Sequence, residues 1–207
     1  MWAEWVTPET IDSRVWPRTA AIAERLWSPR DVRDVPDMYR RLAVVSRRLE
    51  EAGLHHESYL GPALRRLAGD NATDADLAAL RMFVDLVEPV KGYARADQQP
   101  DATQFTPLTG LVDCARPDSA AARAFATTVG QFTTQPRLPG ASDHLKATLT
   151  AWQETATHLL IRLPDLSPRL AEARPLLQAW QNAAAAGLAA CEALPQGKTP
   201  TEPAIRS

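Results

Sequence analysis

The sequence predicts a mainly α-helical protein, and three observations carry that expectation. Apolar residues recur at spacings of three and four over most of the chain after residue 12, the period of a helix with one buried face. The periodic segments are long and joined by short Pro- or Gly-containing breaks, the pattern of a helical bundle. Strand-like sequence is confined to the first six residues, MWAEWV. A single strand cannot satisfy its own backbone hydrogen bonds and needs neighbouring strands, yet no later stretch reads as one.

The elements follow in order. In SRVWPRTAAIAERLWSP, residues 13–29, Ile22 and Leu26 stand at i, i+4, and Pro17 suits a first helical turn, where its missing N–H costs nothing. Residues 34–54 place Met38, Leu42, Val45 and Leu49 on one face, with Arg40, Arg41, Arg47, Arg48, Glu50 and Glu51 largely off it and Gly53 as C-terminal cap. Residues 55–72 read as a linker. Thr73 and Asp76 form an N-cap with an acidic partner, opening a segment that carries Leu77, Leu80, Phe83 and Val87. Residues 94–110 read as a loop. Three further helical stretches are expected at 118–132, 142–163 and 167–194, with Trp152 and Trp180 on apolar stripes. Pro175 should kink or split the last of these. The tail, 195–207, has too little apolar surface to fold.

Composition excludes several function classes. The net charge of -2 leaves no electrostatic footprint for nucleic acid. No apolar run approaches the roughly 18 residues of a membrane span. Cys114 and Cys191 form no CxxC motif and no metal-ligand spacing; they read as two independent, semi-buried thiols. His55, His56 and Glu57 are adjacent, but neighbouring histidines on an extended chain point apart and no third ligand follows at zinc spacing. No Gly-rich phosphate loop, G-x-S-x-G elbow or Cys/His nucleophile arrangement is present.

The opening stretch carries a composite motif: MWAE, then R-x-W-P-R within IDSRVWPRTAAIAERLWS, then MYRRLAVVSRRLEEAGL. In that order and spacing it resembles the end of the catalytic domain of glycoside hydrolase family 20, the β-N-acetylhexosaminidases. The resemblance is close over residues 1–54. Residues 75–194 are similar in layout to the helical C-terminal region of some bacterial members.

The resemblance implies the last strand and helices of a (β/α)8 barrel followed by an all-α bundle. The chain would then be a C-terminal fragment, expected to be inactive alone. It further implies that Trp2 is one aromatic wall of the subsite for the terminal N-acetylhexosamine, and that Glu4 accepts hydrogen bonds from the outer hydroxyls. Residues i and i+2 of a strand point to the same side. The family's reaction is retaining and substrate-assisted: the sugar's own 2-acetamido oxygen attacks the anomeric carbon, and no enzyme carboxylate becomes covalently attached. An adjacent Asp-Glu pair supplies the acid and the orienting carboxylate. Here the only adjacent acidic residues are Glu50 and Glu51, on the expected solvated side of a helix.

The implied whole enzyme acts on N-acetylhexosamine-containing glycans, needs no cofactor and is periplasmic or secreted. The missing part of the barrel is an expected partner. Arg14, Trp16, Arg18, Glu24, Arg25 and Trp27 are expected to clamp the last barrel helix, and Trp5 to pack in the core. The alternative from another class is an autonomous helical interaction module with a vestigial front end.

Overall fold

The computed structural model describes residues 5–89 and 94–198. Its helices are α1 (Ile11–Val15), α2 (Arg18–Trp27), α3 (Val35–Glu51), α4 (Leu60–Ala68), α5 (Asp74–Val84), α6 (Ala94–Gln98), α7 (Leu111–Cys114), α8 (Ala120–Thr134), α9 (Asp143–Arg162) and α10 (Arg174–Ala193). Among the described residues no strand is present. The expected strand lies mostly outside them, and Trp5 and Val6 are irregular. The chain divides into two compact units, Met1–Ala63 with Pro89–Thr109 and Leu64–Glu88 with Gly110–Ser207.

In the first unit the segment expected as one helix over 13–29 is two. Trp16 is extended, φ -103° and ψ 154°, because a residue preceding proline is pushed out of the helical region. Pro17 then becomes the N-cap of α2. Helix α3 has the anticipated register. The Asp34 carboxylate accepts from Asp37 N at 3.0 Å, Leu42 is buried, and Gly53 sits at φ +92° just past the C-terminus, where a Cβ would be strained. Beyond it, part of the stretch read as a linker is helix α4, which starts in the first unit and ends in the second. Its Leu60, Leu64, Leu67 and Ala68 are buried. The i, i+4, i+7, i+8 spacing of those residues is a core stripe, masked in sequence by the flanking Gly, Pro and Arg.

The second unit is a helical bundle centred on α9 and α10. Helix α5 begins with a complete capping box. Thr73 Oγ1 accepts from Asp76 N at 3.2 Å, and Asp76 Oδ2 accepts from Thr73 N at 2.9 Å. Leu80 and Phe83 from α5, Leu145, Leu149, Ala156 and Leu159 from α9, and Leu177 and Ala184 from α10 are buried. The aromatic residues form a ladder: Phe83 and Trp180 centroids are 5.4 Å apart, Trp180 and Trp152 6.1 Å, Trp152 and Phe125 4.4 Å. These separations are those of interacting rings, so Trp152 and Trp180 are packing residues, as expected.

Pro175 acts as anticipated. A 3₁₀ segment, Pro168–Ala173, precedes α10, and Pro175 falls in the first turn of the helix proper. Gly187 lets α10 approach α9, since a Cβ there would stand 2.9 Å from Leu149 Cδ1. Both cysteines are free and buried.

Helix α8 starts at Ser119, whose hydroxyl accepts from Ala122 N at 2.9 Å and donates to the Asp85 carbonyl at 2.6 Å. Ser119→Ala removes the cap and leaves that carbonyl without the hydroxyl. It should cost about 1–2 kcal/mol in urea unfolding; a loss below about 0.3 kcal/mol would show that the cap is dispensable.

Candidate functional site

Trp2 and Glu4, the sugar-binding candidates, lie outside the described residues. Trp5 is half-buried, and the Arg95 guanidinium lies over its ring, 4.4 Å from the centroid, a cation–π contact tying α6 to this point of the first unit. Trp5, expected in the core, is instead a half-buried platform for Arg95. The contact missed from sequence is Arg95, in a segment read as a loop.

Two residues on, the chain turns sharply. Thr7 N donates to Thr10 Oγ1 at 3.0 Å, Thr10 N donates to the Thr7 carbonyl at 3.1 Å, and Ser13 Oγ donates to the Thr10 carbonyl at 2.7 Å. Short hydroxyl side chains close such turns by replacing backbone partners. The turn launches α1 directly behind the candidate residues.

The signature residues that follow are engaged in scaffolding. Arg18 Nη2 donates to the Arg14 carbonyl at 2.6 Å. Glu24 pairs with Arg41 of α3 at 2.5 Å, and Arg41 also pairs with Asp37. Arg25 Nη1 donates to the Val32 carbonyl at 2.6 Å, and its Nη2 to the Arg30 carbonyl at 3.3 Å. Trp27 departs from this pattern. It is 90% exposed.

A polar cluster that the sequence did not reveal joins α3 to the start of α4. His56 is buried; its Nε2 is 2.7 Å from Ser46 Oγ, and its Nδ1 faces Glu50 Oε1 at 3.3 Å. Ser46 Oγ also donates to Glu57 Oε1 at 3.1 Å. Glu50, expected on a solvated face, instead accepts from Glu57 N at 2.6 Å and Ser58 N at 3.3 Å. Burial pushes its carboxyl up, but those N–H groups, Ser58 and His56 outweigh it and hold the pKa below the usual value. The order Ser–His–Glu resembles a nucleophile with its base. However, the hydroxyl is committed to Glu57 and both Ser46 and His56 are buried, so the cluster works as a strut. Its sequence signal was Ser46 and Glu50 at i, i+4, ahead of His56 past the Gly53 turn.

The second unit holds a stronger carboxylate centre. Asp76 is fully buried. It accepts from Arg162 Nε at 3.1 Å, Thr73 N at 2.9 Å and Thr73 Oγ1 at 2.8 Å, and lies 2.9 Å from His158 Nε2. Burial alone would raise its pKa. The Arg162 guanidinium, the Thr73 donors and His158 overcome this and hold it well below the usual carboxylate range. An acid held so firmly ionised cannot donate a proton near neutrality, so this group braces α5 against α9.

No group of three or more metal-ligating side chains occurs among the described residues. No helix of the described residues is long and apolar enough to cross a membrane. The sequence contains no Asp-Glu dipeptide.

Comparison with known proteins bears on the first residues most directly. Residues 1–30 match the model of the glycosyl hydrolase family 20 catalytic domain. The chain is 46% identical over 63 residues to a probable beta-hexosaminidase of Drosophila melanogaster, covering 28% of this chain and 10% of that protein. It is 44% identical over 54 residues to human beta-hexosaminidase subunit beta, covering 26% of this chain and 10% of that one. Among solved structures it is similar to the chitobiase of Flavobacterium johnsoniae, with 34% identity and a TM-score of 0.84, covering 97% of this chain and 29% of that chain. The likeness is to glycoside hydrolase family 20. The chain spans 10% of the length of those curated relatives and less than a third of the chitobiase. Its helical second unit has a counterpart too, because the structural likeness runs over nearly all 207 residues.

Proposed function

We propose that this chain is the C-terminal part of a β-N-acetylhexosaminidase that removes terminal non-reducing β-linked N-acetylhexosamine. The observation that carries the reading is the match of residues 1–30 to a catalytic-domain model, because that stretch contains Trp2 and Glu4. On this reading the first residues form the last strand of a (β/α)8 barrel, and catalytic groups of such barrels sit at the C-terminal ends of strands. Trp2 walls the terminal sugar, and Glu4, an ionised acceptor, holds its outer hydroxyls. The acid and the carboxylate that orients the 2-acetamido group come from sequence outside these residues, so the chain by itself does not turn over. The α6 segment, through Arg95 on Trp5, and the turn at Thr7–Thr10 steady the backbone that follows the site.

The test starts from the DNA upstream of the Met1 codon, read in frame. A frame continuing back to an Asp-Glu pair is expected. The product of that frame should hydrolyse an aryl N-acetyl-β-glucosaminide, and Glu4→Gln should lower kcat/KM about 10- to 100-fold, the worth of a hydrogen bond to a charged group. An in-frame stop just before Met1, or a Glu4→Gln enzyme with unchanged kinetics, would sink the reading. The second reading, a helical interaction module, is favoured by one observation: Ile22, Leu26 and Trp27 of α2 are exposed. It predicts a chain that captures a partner and never takes part in glycoside hydrolysis.

A further inference from the structure

Arginine keeps its charge under all ordinary conditions and is rarely buried unless something holds the charge. Arg95 is 7% exposed. Its guanidinium carbon stands 4.4 Å from the ring centroid of Trp5, and a cation over an indole face gains more as the pair leaves water. The two residues come from distant parts of the sequence but lie in one compact unit, since Pro89–Thr109 belongs with Met1–Ala63.

Both sides of the contact are held in place. Gln99 N donates to the Arg95 carbonyl at 3.0 Å and closes the short helix α6. Beyond it Ala102 N donates to the Gln99 carbonyl at 3.0 Å, Thr106 N to the Thr103 carbonyl at 3.0 Å, and Thr103 N to Thr106 Oγ1 at 2.8 Å. Successive closed turns of this kind fix the backbone that carries Arg95. On the other side, Trp5 stands two residues ahead of the Thr7–Thr10 turn. The ring is therefore gripped by the guanidinium, and the chain behind it is pinned.

The use of such a grip follows from the neighbour of Trp5. Glu4, the acceptor proposed for the outer hydroxyls of the sugar, is bonded directly to it. Successive side chains of a strand point to opposite faces, so a clamp on Trp5 acts on the strand from the side away from the sugar. A misplacement of about 1 Å costs a binding or reacting group on the order of 100-fold in rate. We infer that Arg95 is a positioning residue for the sugar-binding strand, setting the place of the Glu4 carboxylate through the Trp5 ring. The inference rests on the proposed role of Glu4. It goes beyond that role by giving a task in substrate binding to a segment outside the 1–30 stretch that matches a catalytic-domain model.

The test uses the enzyme encoded by the extended frame, with an aryl N-acetyl-β-glucosaminide as substrate. Arg95→Ala should lower kcat/KM about 3- to 30-fold, the worth of a cation–π contact expressed as a rate. The change should fall mainly on KM, because the hydroxyls that Glu4 holds take no part in bond breaking. Trp5→Leu should reproduce the loss, and Trp5→Phe, which keeps a ring face for the cation, should recover most of it. In the Glu4→Gln enzyme, Arg95→Ala should cost less than about twofold more, since residues acting through one another are not additive. The Trp5 pair decides the matter if Arg95→Ala does not fold. Unchanged kinetics of Arg95→Ala, equal effects of Trp5→Leu and Trp5→Phe, or a loss of kcat by the same factor with and without Glu4 would overturn the inference and leave the proposed function standing. An enzyme inactive before any substitution would sink both.

Discussion

Asp76→Ala is expected to cost the second unit about 3 kcal/mol. Removing one partner of a buried ion pair leaves the other desolvated and uncompensated, typically at about 3–5 kcal/mol. The lower end applies because Arg162 and His158 retain side-chain exposures of 27% and 39%, so water compensates them in part. The same substitution breaks the capping box of α5. Asp76→Asn keeps the shape and should cost less.

The pH dependence has a definite sign. The folded pKa of Asp76 is depressed, so its contribution is complete above the unfolded value of about 3.9. It is lost as the pH falls below that value towards the folded pKa. Urea unfolding from pH 7 down to pH 2 should show wild-type stability dropping below about pH 4, with the Asp76→Asn variant losing that component of the slope. A variant within about 1 kcal/mol of wild type at pH 7, with an unchanged acid limb, would show that the centre is not a brace.

Phe83→Ala should cost about 3–5 kcal/mol, the usual range for a buried phenylalanine. Its ring is 2% exposed and touches Trp180, so the substitution opens a cavity and removes one rung of the aromatic ladder. With total stabilities of about 5–15 kcal/mol, this approaches unfolding of the second unit. Tryptophan emission, dominated on this side by Trp152 and Trp180, should shift to longer wavelength. Phe83→Leu should recover most of the loss. Phe105→Ala is the matched control: Phe105 is 83% exposed, and surface substitutions of that kind stay within about 0.5 kcal/mol. Equal effects at both positions would mean that the second unit is not held by its ladder.

Signals carried by neighbouring residues were legible without the structure. The helices read over 34–54 and 73–90, with Gly53, Thr73 and Asp76 as caps, follow from periodicity and from contacts across three residues, although the second ends at Val84 and leaves Val87 outside it. The split at Pro175 followed from the missing N–H of proline. The resemblance to glycoside hydrolase family 20 followed from a motif confined to the first 54 residues. Helix α4 was hidden because its short stripe, Leu60, Leu64 and Leu67, is interrupted by Gly61 and Pro62 and gains its burial only from packing. The break at Trp16–Pro17 was misplaced because a proline accepted in a first turn also forces its predecessor out of the helix.

By itself the sequence determined the helical class, most helix positions and the resemblance to family 20, since each depends on residue identity at short separation. The tertiary structure alone decided which charges are buried. The capping box singles out Asp76 over Asp74 but says nothing of its burial; Arg162, 86 residues away, makes Asp76 a buried anion, while Asp74 remains exposed on the surface. It also turned Glu50 from a solvated side chain into a cap for the next loop, and showed that α2 faces outward with its apolar side. Each of these outcomes depends on which distant segment lies opposite, a matter of packing that periodicity does not encode.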